Sequence, residues 1–360
     1  MRHFFRTFSI LCLPFSTSLF AETTEAPLSV KQDAPKSYVV VKGDTLWDIS
    51  ALYLDSPWLW PQLWQVNPEI DDPHLIYPGD KLSLIWRDGQ PVLSLKPVVK
   101  FSPKIRVSEK KAVPTVEEGL VLPYLRSDRL VDQGTLDSAS RVLGTSDGRK
   151  FLTSADQLYI SGESRHQNWG IYRAVESYQR QTPKAKIISL RLIAKATLND
   201  VSSEFTSLKV ESQRQEILLN DVALPDLGIE SVGFSTTFYP APSPAGAFAN
   251  ILGSINGSQF SAKNQVLIID RGTHDNLRQG SMFDLKAGGA TVFKKQGEYT
   301  YDGSTGDKVE LPDTEAGTLM VIRPYEFFSL ALVTNSAKPI NGDILAVSPL
   351  SKERATPESP

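Results

Sequence analysis

Hydrophobic and polar positions change rhythm several times along this chain. Behind Arg2 and Arg6, residues Phe8 to Phe20 form an apolar stretch that ends at Ala21 before the polar run Glu22-Thr23-Thr24-Glu25. A basic start, a short apolar segment and a small residue at its end predict a signal peptide over residues 1–21. Pro14, Ser16 and Ser18 interrupt the segment and make it a poor spanning helix, the alternative being an N-terminal membrane anchor. Residues 22–36 are polar and proline-bearing and read as a flexible tether. Tyr38-Val39-Val40-Val41 then predicts a strand, and Lys42-Gly43-Asp44 a turn. Leu46, Ile49 and Tyr53 fall on one helical face. Thr45 with Asp48 three positions on supplies a capping box. A second helix is expected near Pro61, since proline suits a first turn. Its stripe would be Leu59, Leu63 and Val66, and Asn67-Pro68 would stop it. Tyr77-Pro78-Gly79-Asp80 is a turn, and Lys81-Leu82-Ser83-Leu84 a returning strand. Residues 37–85 therefore read as strand, helix, helix, strand.

The periodicity lapses over residues 86–119, where Pro91, Pro97, Pro103 and Pro114 predict a linker. Lys96, Lys100, Lys104, Arg106, Lys110 and Lys111 make it basic, which suits either an anionic surface or a solvated connector. Short apolar runs follow: Leu158–Ile160, Ile187–Ile193, Val266–Ile269, Leu319–Ile322 and Leu330–Val333. Gly, Asp, Asn and Ser turns separate them, as in a barrel or sandwich. Residues 202–219 permit a helix or a strand pair. A weak repeat runs through this part. The strand at 156–160 leads to Gly162 and then Gly170. The strand at 264–269 leads to Gly272 and then Gly280, at the same separation. Two related β-rich domains, 120–229 and 230–350, are expected, with a disordered tail at 351–360. The fold class is α+β: a small βααβ unit, a linker and mostly-β C-terminal domains. One stretch stands apart, because Ser231 to Ala262 carries no charged side chain. It reads as a mobile loop, either ordered by a protein partner or an excursion between hairpins.

Composition narrows the chemistry. The 360 residues are 41% hydrophobic and 22% charged, with a net charge of −3, so no global basic field suggests nucleic acid. Loss of Arg2 and Arg6 with the leader would leave 36 basic against 41 acidic residues. Cys12, the one cysteine, would leave with it. A cysteine-free mature chain suits an oxidising envelope compartment and has no thiol nucleophile. His74, His166 and His274 are far apart in sequence and form no zinc motif, so no metal and no cofactor are expected. Counting alone leaves a Ser–Lys or paired-carboxylate hydrolase open.

Residues 38–49, with Asn67-Pro68 and Ile76-Tyr77-Pro78-Gly79-Asp80-Lys81-Leu82, resemble a LysM domain in order and spacing. The resemblance implies a βααβ fold that binds N-acetylglucosamine-containing glycans, above all peptidoglycan, in a shallow groove between two loops. Carried over, the groove is Gly43, Asp44, Thr45 and Leu46 on one side and Asn67, Pro68, Glu69 and Ile70 on the other. Asp44 and Thr45 serve equally as turn and cap, and Asn67 as a helix stop. Trp47, Trp58, Trp60, Trp64 and Trp86 suit a small core better than a sugar platform, although either use is open.

The blocks Val266–Gly272, Asn276–Gly280, Leu311–Asp313, Ala316–Val321 and Asn341–Asp343 are similar to a second family. So are the linker blocks Phe101–Arg106, Ala112–Thr115 and Leu122–Leu125. The family is the TsaP-like LysM proteins associated with the type IV pilus secretin, whose C-terminal region is related to the flagellar assembly protein FlgT. That resemblance implies a non-enzymatic periplasmic protein, associated with the cell wall and outer membrane, with peptidoglycan and a secretin ring as partners. The alternatives are a LysM-targeted cell-wall hydrolase or its regulator, and a flagellar accessory protein.

Overall fold

The computed structural model describes residues 28–64, 76–87, 89–96, 115–126, 129–148, 157–226, 238–295, 298–301 and 307–350. The leader, the first part of the tether and the tail at 351–360 lie outside them, as do Val66, Asn67 and Pro68.

The N-terminal unit begins with β1 (Ser37–Val39) and α1 (Leu46–Tyr53). A 3-10 turn over Pro57–Leu59 leads into α2 (Trp60–Trp64), and β2 (Lys81–Arg87) returns against β1. The α1 face is the one expected from spacing: Leu46, Ile49 and Tyr53 are buried, together with Trp47 and Ser50. Trp47, Trp58, Trp60 and Trp64 are buried and Trp86 is exposed, so four of these five tryptophans build core. The linker reading of 86–119 needs correction. Residues 90–96 form β3 (Gln90–Lys96), antiparallel to β2 from Arg87↔Gln90 to Lys81↔Lys96. Pro91 is tolerated because β3 is an edge strand. Val92 and Leu93 are fully buried, so this part of the segment extends the domain.

A bridging element follows: α3 (Glu118–Arg126), β4 (Arg129–Val131) and α4 (Gln133–Ser138), the last capped by Asp132. Next come β5 (Ser140–Gly144), β6 (Gln157–Ser161), β7 (Asn168–Arg180), β8 (Ala185–Val201), β9 (Phe205–Gln213) and β10 (Val222–Pro225). They pair as β8-β7-β10-β5-β6-β9 and close through β9–β8 into a six-stranded barrel, with β4 added outside β8. Residues 205–213 are thus strand.

A second barrel uses β11 (Ala241–Pro242), β12 (Phe248–Ser254), β13 (Val266–Ile269) and β14 (Ser281–Ala287). A small three-stranded sheet is inserted next, β15 (Thr291–Lys295), β16 (Glu298–Thr300) and β17 (Asp307–Glu310). After it come β18 (Thr314–Pro324), β19 (Ser329–Ser336) and β20 (Ile344–Val347). The order β14-β18-β19-β13-β12-β20 closes through β20–β14. Matching β5–β10 to β12, β13, β14, β18, β19 and β20 makes the two closed cycles identical. Strands therefore dominate: α+β describes the N-terminal unit, and the chain as a whole is mostly β. The uncharged stretch is not a mobile loop over its described part. It supplies β11 and β12, with Ser243, Ala249, Ile251 and Ser254 buried. β12 runs between β13 and β20, and uncharged small and apolar residues are what a barrel strand closed in on both sides requires; β11 adds a short parallel edge beside β14.

The interiors alternate with outer faces, as barrels demand. Val142, Leu158, Ile160, Ile171, Ile193, Leu208 and Val210 fill the first. Ile251, Leu267, Ile269, Phe283, Leu285, Leu319, Val321, Ala331 and Val333 fill the second. The outward residues of the second barrel are buried too. Val266, Ile268, Met282, Met320, Ile322, Leu330 and Leu332 belong to one continuous apolar cluster with Leu46, Trp47, Trp60 and Leu93 of the N-terminal unit. Trp60 packs on Tyr239 with ring centroids 5.3 Å apart, and the Trp47 amide donates to Thr115 O at 3.1 Å. A different device joins the barrels. Arg180, at the end of β7, donates from Nη1 to Asp275 Oδ2 at 2.6 Å and from Nη2 to Asp275 Oδ1 at 2.7 Å. Its Nε donates to Thr182 O, Nη1 also donates to Phe327 O, and the guanidinium lies 5.9 Å from the centre of the Phe327 ring.

Candidate functional site

The loop after β1 is held from within. Asp44 Oδ2 accepts from the Val41 amide at 2.8 Å and from the Tyr38 hydroxyl at 3.0 Å, which closes the turn. Gly43 sits at φ +103, a left-handed conformation that favours glycine, with open space around it. Burial raises the Tyr38 phenol, and its bond to the Asp44 carboxylate and the charge there raise it further. Beneath it, burial pushes Tyr53 up to about 12.

Thr45 starts α1 as its cap. Its Oγ1 accepts from the Asp48 amide at 3.0 Å and donates to Asp48 Oδ2 at 2.7 Å. The expected box forms, with one difference: the Asp48 carboxylate returns to the Thr45 hydroxyl. Thr45 is only 3% exposed and its hydroxyl is occupied in both directions, so its side chain serves the helix. Leu46 is fully buried in the core. The solvent-facing part of the loop is therefore Lys42, Gly43 and the half-buried Asp44. Gly43, Asp44, Thr45 and Leu46 are brought together in one turn. Asn67, Pro68, Glu69 and Ile70, the other expected wall, lie outside the described residues.

Elsewhere, His166 contacts Ser164 Oγ and Trp169, and His274 lies against Phe327; the two belong to different barrels. Among the described residues there is no group of three metal-ligating side chains and no helix long and apolar enough to cross a membrane. Glu117 and Lys263 border α1 in space and escaped the sequence reading. Glu117 sits in the supposed linker; the signal at Lys263 is that it is the first charge after the uncharged stretch.

Among known proteins, the chain is similar to the uncharacterized protein YqbP of Bacillus subtilis (strain 168). The two are 34% identical over 82 residues, 17% of this chain and 37% of that protein. The chain thus spans little more than a third of the relative it matches. The strand–helix–helix–strand unit, its capped α1 and its Gly43–Asp44 turn coincide with a match to the LysM domain family over residues 38–84: the chain carries a LysM domain.

Proposed function

We propose that this protein is exported to the periplasm and grips peptidoglycan, through N-acetylglucosamine-containing glycan, with its LysM domain, while the barrels engage an outer-membrane protein. The secretin ring of a type IV pilus is the partner to which the sequence resemblance points. The observation that carries the reading is the LysM domain itself, with the Gly43–Asp44 turn open to solvent. Backbone amides and carbonyls of that turn suit the donor and acceptor of an N-acetyl group. The residues at 67–70 are the expected opposite wall. A weak sugar contact and a protein contact on one chain reinforce each other when both can be reached. In this reading the chain catalyses nothing and serves as an anchor.

Two measurements test it. The full chain should co-sediment with purified peptidoglycan without clearing it in a zymogram. From envelope extracts it should capture a secretin. Clearing would replace the anchor with a wall hydrolase, and capture of a flagellar ring protein would replace the pilus partner.

A further inference from the structure

A cavity of about 80 Å³ lies where the first turn of α1, the start of α3 and the β12–β13 and β19 region of the second barrel meet. Three separate segments line it: Trp47 and Asp48 from the LysM domain, Glu117 and Leu120 from the bridging element, Lys263 and Leu332 from the barrel. Its apolar wall is firm, since Trp47 is 8% and Leu332 2% exposed. Its charged groups, Lys263, Glu117 and Asp48, are of both signs and exposed at its rim. Among the described residues, Lys263 and Glu117 make no ion pair. The Asp48 carboxylate is engaged by the Thr45 hydroxyl. A cation and two carboxylates around one partly apolar cavity, with no ion pair joining them, are complementary to a ligand that itself carries both charges. At about 80 Å³ it is far smaller than the several hundred Å³ of a small-molecule site, a size that suits the end group of a larger ligand.

We propose that this cavity binds the zwitterionic tip of a peptidoglycan stem peptide, the side-chain end of a diamino diacid. Lys263 pairs with its carboxylate, Glu117 and Asp48 with its ammonium, and Trp47, Leu120 and Leu332 cover its methylenes. The proposal rests on the glycan-binding reading above and deepens it. The second barrel completes a wall-recognition surface that LysM begins, so the docked pair reads sugar and peptide together and distinguishes peptidoglycan from peptide-free polymers of the same sugar.

The full chain and its Lys263→Glu and Glu117→Gln variants would be measured against three probes. These are intact wall sacculi, the same glycan strands stripped of peptide by an amidase, and the free tripeptide alanyl-γ-glutamyl-diaminopimelate. Intact sacculi should bind about tenfold tighter than stripped strands. Lys263→Glu should abolish that preference while leaving stripped-strand binding unchanged, and Glu117→Gln should reduce it. The tripeptide should give calorimetric heat with the native chain and none with Lys263→Glu. Equal binding to intact and stripped material, or a preference that survives Lys263→Glu, would overturn the proposal. Failure to bind stripped strands would instead count against the glycan reading. The tripeptide titration then decides the cavity alone: Lys263-dependent heat upholds it, and no heat overturns it.

Discussion

The two barrels close in the same cyclic order yet meet their surroundings differently. In the first, strands such as β6 alternate, with Leu158 and Ile160 buried and Gln157 exposed. In the second, Val266, Leu267, Ile268 and Ile269 are buried without a break. The difference at these strands is the LysM domain, which covers the outer face of the second barrel and turns a one-sided wall into a two-sided one. In the first barrel β4 and α4 cover only the outer side around Ile188, Leu190 and Val222. An unbroken apolar run in a barrel strand therefore marks a covered outer face. The strongest test separates neighbours. Ile269→Asp places an unpaired carboxylate inside the barrel and should cost about 4 kcal/mol or more, unfolding it. Ile268→Asp puts the same charge under LysM. It should release the domain to limited proteolysis while the barrel keeps a cooperative urea transition. If both variants unfold the barrel alike, the outer face is not a docking surface.

The clamp between the barrels comes next in size. Arg180→Ala leaves the Asp275 carboxylate half-sheltered without its bidentate partner, and breaking such a pair costs about 3 kcal/mol. Burial pushes the Asp275 carboxyl up. The bonds from Arg180 and the Gly272 amide, with the charges of Arg180 and Arg271, outweigh it and hold the group below its ordinary 3.8. The sign follows: a carboxyl lowered on folding contributes stability above its ordinary value and loses it as pH falls through the folded one. The native chain should therefore lose barrel–barrel cooperativity in acid. Arg180→Ala should already lack it at neutral pH and show a flatter stability profile below pH 4. A calorimetric pH series on both chains checks this.

Much of this contrast is legible in the residues, and what is not has a physical reason. The capping pair Thr45 and Asp48, the face Leu46–Ile49–Tyr53 and the apolar strand cores depend on neighbours in sequence, so local pattern reveals them. The turn before Gly162 and its counterpart before Gly272 disclose a repeat because hairpins place glycines at fixed distances from their strands. β3 is hidden because proline at residues 91 and 97 normally ends a strand, and only pairing with β2 shows Pro91 sits on a free edge. The uncharged stretch misleads in the same way: small residues read as a loop until β13 and β20 enclose them. Of the site, the first loop can be read directly. Lys263 and Glu117 cannot, because nothing local tells that a loop of the second barrel and the start of α3 will meet α1.

The repeated glycines sharpen the comparison at a smaller scale. Gly162 adopts φ +83 with open space around it. Gly272 is extended, at φ −148, but a Cβ there would stand 2.1 Å from Tyr325 O and 2.6 Å from Glu326 O. Equivalent positions thus need glycine for different reasons, conformation in one barrel and close approach in the other. Gly162→Ala should cost about 1 kcal/mol through strain alone. Gly272→Ala must push backbone aside beside the clamp and should cost about 2–3 kcal/mol. Denaturant midpoints of the two variants decide it, and equal losses would mean the copies use this position alike.

The smallest expected effect lies at the cap of the helix that the second barrel supports. Because both hydrogen-bonding capacities of the Thr45 hydroxyl go to Asp48, Thr45→Ala should cost about 1 kcal/mol of stability and leave glycan affinity unchanged at a temperature where the domain stays folded. Asp44→Ala removes the acceptor that holds Val41 and Tyr38, so the solvent-facing turn should loosen and glycan affinity should fall. Co-sedimentation of both variants with purified peptidoglycan, beside their melting curves, separates the roles. Lost affinity in a fully folded Thr45→Ala chain would mean that the threonine reaches sugar, and that the docked domain opens its α1 terminus to ligand.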